Sequence, residues 1–101
     1  MNDPLARQRA MVAQYPENEL ARFSLGKALY DRGEWQEARE HLRVALSKRD
    51  DWMVVQILLG KIELQAGQPE AARIAFLAAR QMALDQHHEG PLAELDELLS
   101  R

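Results

Sequence analysis

A repeat with a period of 34 residues constrains this chain more than any other feature of its sequence. When residues 19–52 are aligned with residues 53–86, eight of the 34 positions are identical, whereas about 2 identities are expected by chance. The identical pairs are Leu25/Leu59, Gly26/Gly60, Lys27/Lys61, Gly33/Gly67, Ala38/Ala72, Arg39/Arg73, Ala45/Ala79 and Asp51/Asp85. A period of this length is typical of arrays of helical hairpins, each of which buries its apolar face against its neighbours.

The small residues of the repeat stand where two helices of one hairpin must approach each other closely. Gly26 and Gly60 have no Cβ, so a second helix can come near their backbone. Gly33 and Gly67 follow the first helices, where a left-handed residue commonly ends a helix. The pattern predicts an all-α chain with helices near residues 4–15, 18–31, 35–48, 52–66, 69–86 and 91–100.

The two ends of the chain differ from the repeats between them. Asp3-Pro4 favours a helix start, and Pro16 ends that helix. By the 34-residue spacing, residues 4–15 are a half repeat that precedes repeat 1 (19–52) and repeat 2 (53–86). Gly90-Pro91 predicts a break before a helix at 91–100, which carries leucines on one side and acidic residues on the other. We therefore expect one domain, residues 1–101, with a capping helix at each end.

The repeat carries a recognisable pattern of residues. The first unit reads Arg22-x2-Leu25-Gly26-x2-Leu29 and then Ala38-x3-Leu42. The second reads Gln56-x2-Leu59-Gly60-x2-Glu63 and then Ala72-x3-Phe76. This resembles the tetratricopeptide repeat, W-x2-L-G-x2-Y followed by A-x3-F and a proline. The sequence departs from that pattern at the tryptophan, the tyrosine and the second proline.

The resemblance covers roughly residues 16–86. It implies a right-handed array of antiparallel helix hairpins, a TPR-like α-solenoid. It also implies a non-catalytic protein-interaction module, an adaptor or scaffold that holds a peptide or helix in a concave groove lined by the first helices. Carried over position by position, the partner-binding residues would be Leu20, Phe23, Ser24, Lys27, Tyr30 and Asp31 from the first unit, and Val54, Ile57, Leu58, Lys61, Leu64 and Gln65 from the second.

Lys27 and Lys61 occupy the same repeat position, so we expect them to be neighbours on the floor of that groove. Cations on an apolar bed suit an acidic, amphipathic ligand. The alternative is that the lysines are ordinary solvated charges and that the capping helices cover the apolar residues. Phe23 stands where the chaperone-binding members of the family carry the first lysine of a carboxylate clamp, so a heat-shock cochaperone is not expected.

Composition bounds the classes of partner. The formal net charge is −3 and the chain has no basic tract, which argues against nucleic acid. The first residues lack the apolar core of a signal peptide, and no apolar stretch approaches the length of a membrane span. The absence of cysteine fits a reducing compartment, so we expect a cytoplasmic protein.

Candidate chemistry is sparse. His87-His88-Glu89 is a cluster of possible metal ligands, but adjacent residues on a helix point about 100° apart and chelate poorly. The serines lack a nucleophile motif and no glycine-rich phosphate loop is present, so we expect no catalytic residues, no metal and no cofactor. Two functions stay open, a protein-binding adaptor and an assembly protein that self-associates through its end helices into a homodimer.

Overall fold

The computed structural model describes residues 3–100, which form six α-helices and contain no strand. The helices are α1 (Ala6–Gln14), α2 (Glu19–Asp31), α3 (Trp35–Lys48), α4 (Met53–Gln65), α5 (Pro69–Asp85) and α6 (Glu89–Ser100). The chain divides into two compact units, Met1–Asp50 with α1 to α3 and Asp51–Arg101 with α4 to α6. Within residues 3–100, no helix combines the length and the apolar composition needed to cross a membrane.

Each unit is built around a hairpin in which a glycine meets a large side chain. A Cβ on Gly26 would lie 2.8 Å from Cγ of Leu42, and a Cβ on Gly60 would lie 2.6 Å from Cδ1 of Phe76. Both distances are below van der Waals contact, so only glycine allows α2 to lie on α3, and α4 on α5, at this separation. The A-x3-F/L spacing of the repeat therefore places the side chain that each glycine accommodates.

Three helices end in the same hydrogen-bonded turn. After α2, the N–H of Gly33 donates to the carbonyl of Tyr30 and that of Glu34 to Leu29; the same pair of bonds closes α4 at Gly67. Both glycines have a positive φ, +78° and +73°, the conformation in which a residue without Cβ is least strained. His87 ends α5 in the same way with φ of +58°, although histidine has a Cβ.

Unit 1 is tied together by packing and by a chain of polar contacts. Leu25, Leu29 and Leu42 are buried. Arg9 on α1 pairs through both guanidinium ends with the carboxylate of Glu37 on α3, and also contacts Asp3. The side chain of Asn18 accepts a hydrogen bond from the N–H of Ala21 at 2.9 Å and so caps the start of α2.

Unit 2 has a core to which α6 contributes. Leu95 of α6 is fully buried in a cluster with Ile57 of α4 and Phe76 of α5, and Leu98 and Leu99 pack against that cluster. The leucines predicted to lie on one side of the last helix therefore do face its own unit. Arg80 on α5 donates to Asp96 on α6 at 2.7 Å, which adds a polar contact at the edge of this core.

The helix bounds agree with the sequence prediction to within one residue, except in the first and last helices. The chain enters α1 through a turn in which Asp3 accepts from the N–H of Leu5, so the helix begins at Ala6 rather than at Pro4. The break predicted at Gly90-Pro91 is wrong, since both residues lie in the first turn of α6. The first N–H groups of a helix have no intrahelical partner, so a proline there costs no hydrogen bond. The break falls at His87 instead.

Candidate partner-binding surface

The twelve residues proposed to bind a partner form six equivalent pairs, because each residue of α2 corresponds to the residue of α4 that lies 34 positions later. The first and last pairs are exposed in both units. Leu20 and Val54 expose 59% and 50% of their surface, and Asp31 and Gln65 are also exposed. An aliphatic side chain is therefore open to solvent at the start of both first helices, at the same repeat position.

The middle pairs differ between the units. In α2, Phe23 is half-buried and Ser24 is exposed, whereas their equivalents in α4, Ile57 and Leu58, are both buried. Ile57 belongs to the core of unit 2 together with Leu95, so it offers no surface to a ligand. The sequence left open the alternative that the capping helices cover the apolar residues. Ile57 of α4 is covered in this way by α6, whereas Phe23 of α2 is only half-buried.

In the pair formed by Tyr30 and Leu64, the residue of α4 is the more exposed one. Tyr30 is half-buried, while Leu64 exposes 42% of its surface. Leu64 borders a cleft of about 270 Å³ in unit 2, whose other lining residues are Pro69, Glu70, Ala72, Arg73, Phe76, Leu98 and Leu99. The cleft is mostly apolar and carries Arg73 and Glu70 beside its apolar walls, so a partner's apolar side chain with a polar neighbour matches its chemistry.

Each of the two equivalent lysines already holds a carboxylate. Lys27 contacts both carboxylate oxygens of Asp31 at 2.8 Å, one turn further along α2. Lys61 contacts Glu94 of α6 at 3.4 Å. Exposed pairs of this type contribute about 0–1 kcal/mol, so an incoming carboxylate can exchange with them. That Lys27 and Lys61 are neighbours stays a prediction of the 34-residue spacing.

A polar network in unit 1 was not foreseen from the sequence. The guanidinium of Arg22 donates to the carbonyl of Pro16 at 2.8 Å and to Nδ1 of His41 at 3.0 Å. Nε2 of His41 lies 3.7 Å from Glu37, the carboxylate that Arg9 binds. Arg22 stands at the signature tryptophan position, and His41 lies between Ala38 and Leu42. The only indication of the network in the sequence was therefore a polar residue at each of these two packing positions.

This network has a structural character. Burial lowers the pKa of His41, and the adjacent Arg22 lowers it further. The hydrogen bond from Arg9 lowers the pKa of Glu37. The neutral imidazole therefore accepts from Arg22 and directs its own N–H toward Glu37. Nδ1 of His41 and the carboxylate of Glu37 thus have hydrogen-bond partners within unit 1.

The histidine cluster at 87–89 lies at a helix boundary. His87 is the left-handed residue after α5, and His88 immediately precedes α6. Among residues 3–100, no three His, Cys, Asp or Glu side chains are close enough together to hold a metal ion. Both histidines therefore lie in the turn between α5 and α6.

A relative among known proteins is named for the repeat that the sequence resembles. No family model matches the sequence. The chain is 36% identical over 66 residues to TPR repeat-containing protein PA0015 of Pseudomonas aeruginosa, a match that covers 65% of this chain and 63% of that protein. The match thus spans somewhat less than two thirds of the relative's length.

The fold is also that of a solved structure. The solution structure of protein BPP2914 from Bordetella parapertussis is 32% identical in sequence and aligns with a TM-score of 0.85 over 100% of this chain and 88% of that one. The 34-residue repeat, the glycine-centred hairpins and the curated relative that bears the repeat's name together confirm the resemblance of this chain to the tetratricopeptide repeat family.

Proposed function

We propose that this protein is a non-catalytic interaction module that binds a peptide or helix of a partner protein along the exposed side of its first helices, α2 and α4. The coarse class follows from the resemblance to a repeat family whose members act by presenting surfaces. The binding mode is inferred from the exposed residues of the two helices.

The observation that carries the proposal is the duplicated exposure of Leu20 and Val54. Aliphatic side chains that stay solvent-exposed at one repeat position in both units are not needed for the core of either unit. Each is followed seven residues later by a lysine, Lys27 or Lys61. Two turns of helix separate each aliphatic residue from its lysine, so the two side chains lie along one face.

This pattern favours a ligand that is apolar with acidic groups. The apolar contacts would supply most of the affinity, and the lysines would orient the ligand and raise its rate of association. Unit 2 offers an example within the chain, because α6 is itself an acidic helix that places leucines on the unit and Glu94 on Lys61.

Binding can be tested with a partner captured on the wild-type chain, identified by mass spectrometry and then purified. Calorimetry should show that Leu20→Asp combined with Val54→Asp raises the dissociation constant about tenfold or more, since both aliphatic contacts are lost. The control is Ala13→Asp combined with Ala93→Asp, which adds one charge to an exposed helix position of each unit.

The control variant should bind like the wild type. If the Leu20/Val54 variant also binds like the wild type while its circular dichroism is unchanged, the partner contacts another surface and the proposed binding mode is wrong.

A further inference from the structure

The outward side of α5 carries an apolar face that unit 2 leaves uncovered. Ile74, Leu77 and Leu84 expose 69%, 46% and 41% of their surface, and Ala78 is exposed beside them. On a helix these residues lie roughly opposite to Ala72, Phe76, Ala79 and Ala83, the residues of α5 that are buried in the core. We call Ile74, Leu77, Ala78, Gln81 and Leu84 the outer face of α5.

The repeat itself shows that the architecture does not require this face to be apolar. Four of the five positions 34 residues earlier, on and just after α3, are Glu40, Arg43, Ser47 and Asp50, and all four are exposed; the fifth, equivalent to Ala78, is the half-buried Val44. The positions of unit 1 that match Ile74, Leu77, Gln81 and Leu84 are therefore all polar, as expected of a helix side in water. The apolar residues of α5 are a property of unit 2 alone and call for an occupant of their own.

We propose that the outer face of α5 binds the same face of a second copy of this chain, with the two α5 helices parallel about a twofold axis. Ile74, Leu77, Gln81 and Leu84 follow the spacing of 3, 4 and 3 residues that forms the seam between paired helices. Leucine occupies both d-type positions and the β-branched Ile74 the first a-type position, the arrangement that favours two parallel strands, and the polar Gln81 occupies the second a-type position. In an isologous contact each layer meets itself, so the seam needs no partner of different sequence.

Polar groups at the seam are compatible with this pairing. Gln81 carries both donors and acceptors, so two copies of it can bond to each other across the axis; its amide donates to Asp85 at 2.9 Å within the helix. In parallel pairing Arg80 of one copy would lie beside Asp85 of the second copy. Arg80 also donates to Asp96, and a guanidinium with five N–H donors can serve both acids.

The size of the face sets the strength of the contact. A stripe of this kind is on the scale of the apolar patches of about 300–600 Å² found on single proteins, below the roughly 800 Å² per partner of a standard stable interface. The face is also only about one and a half heptads long. The dimer is therefore weak and forms as the concentration rises, in an equilibrium of monomer and dimer.

Sedimentation equilibrium of the wild-type chain from about 10 µM to about 1 mM, the range in which a contact of this size is populated, should show a concentration-dependent shift from monomer to dimer. Ile74→Glu combined with Leu77→Arg gives α5 the residues that α3 carries at Glu40 and Arg43, without changing the net charge. This variant should raise the dimer dissociation constant at least about tenfold while its circular dichroism is unchanged.

The matched control exchanges the charges on α3, Glu40→Arg with Arg43→Glu, and should dimerise like the wild type. The chain has no cysteine, so Leu84→Cys provides a probe of orientation. Parallel pairing brings residue 84 against itself and should give a disulfide-linked dimer on mild oxidation, whereas Ser47→Cys on α3 should not.

A wild-type chain that remains monomeric throughout the concentration range overturns the proposal and would leave the face to a helix of another protein. Dimerisation that persists in the Ile74/Leu77 variant also overturns it, since the copies then meet through another surface. A dimer in which Leu84→Cys fails to cross-link contradicts the parallel arrangement. These readouts require no partner, so they are independent of the binding tests on α2 and α4.

Discussion

The absence of one atom, the Cβ of a glycine, allows the two helices of each hairpin to lie close together. Gly60 lies against the ring of Phe76 and Gly26 against Leu42, and in both places a methyl group would occupy space that is already filled. The equal spacing between glycine and large residue in the two repeats is thus a steric match.

We predict that Gly60→Ala destabilises the protein although alanine favours helix. The added Cβ would overlap the Phe76 ring, which is 2% exposed and would have to shift to admit it. Overpacking of this kind costs about 1–3 kcal/mol, against a gain of up to ~1 kcal/mol from helix propensity. Urea denaturation measures the difference. Gly90→Ala is the control, since nothing lies within 4 Å of its added Cβ, and equal stability of the two variants would contradict the steric explanation.

His87 is strained where the equivalent positions after α2 and α4 carry glycine. Its φ of +58° is left-handed, which is unfavourable for a residue with a Cβ. We expect His87→Gly to raise the free energy of unfolding by about 0.5–1 kcal/mol, because the strain relieved exceeds the added entropy of the unfolded chain. Gln86→Gly, at a residue with φ of −97°, should instead lower it. A destabilised His87→Gly variant would mean that the imidazole makes contacts worth more than the strain.

His41 gives unit 1 a pH dependence with a definite sign. Burial and Arg22 hold its pKa below the usual value of about 6.5. The unfolded chain therefore binds a proton at a higher pH than the folded chain, and stability falls as the pH drops below about 6.5 toward the folded pKa. Urea denaturation at pH 7.5 and pH 5.5 should show a larger loss for the wild type than for His41→Gln. Parallel losses in the two proteins would place the titrating group elsewhere.

Among the helices, the residue at which a helix ends is set by local hydrogen bonds, whereas the position of one helix against another is set by packing. Asn18 caps α2 and glycines close α2 and α4, all within a few residues of sequence. By contrast α6 is held by Leu95 in the core of unit 2 and by the contacts of Glu94 with Lys61 and Asp96 with Arg80. Its leucines pack on its own unit, with Leu95 buried and Leu92, Leu98 and Leu99 partly buried.

We predict that α6 is required for the stability of unit 2. Leu95→Ala should cost about 2–5 kcal/mol, since a fully buried leucine is truncated. Removal of residues 89–101 should uncover the core cluster and increase the fluorescence of a dye that binds apolar surface. Ala93→Ser, on an exposed position of the same helix, is the control and should leave stability within about 0.5 kcal/mol. An equally stable truncated chain would show that α6 serves another purpose.

At the scale of the whole molecule, the repeat duplicates a surface as well as a fold. Leu20 and Val54 are exposed alike, and Lys27 and Lys61 each hold an acid. The units differ in what they add to the hairpin. Unit 1 adds helix α1 and a polar network, and unit 2 adds an acidic helix and an apolar outer face. The duplicated features are those on which the proposed binding mode rests, whereas the differences belong to one unit each.

Binding of the native partner should depend on salt through the two lysines. Lys27→Glu combined with Lys61→Glu should weaken binding, most strongly at low salt, since attraction to an acidic ligand is replaced by repulsion that salt screens. Phe23→Ala should weaken binding with little change in salt dependence. Calorimetry at low and high salt separates the two effects. A double-glutamate variant that binds like the wild type at both salt concentrations would leave the lysines as ordinary surface charges.

The number of helices, the hairpin contacts and the glycine turns could be predicted from the sequence, because a period of 34 residues and a small residue opposite a large one are patterns within the sequence. Which predicted surface residues stay accessible depends on tertiary packing. Ile57 and Val54 are both apolar residues on α4, and packing against Leu95 buries the first while the second remains open. Tertiary packing also decided that Lys61 meets Glu94, and that the apolar residues of α5 divide into a core side and an uncovered outer face. These outcomes depend on which elements meet in space, and no periodicity within one helix contains that information.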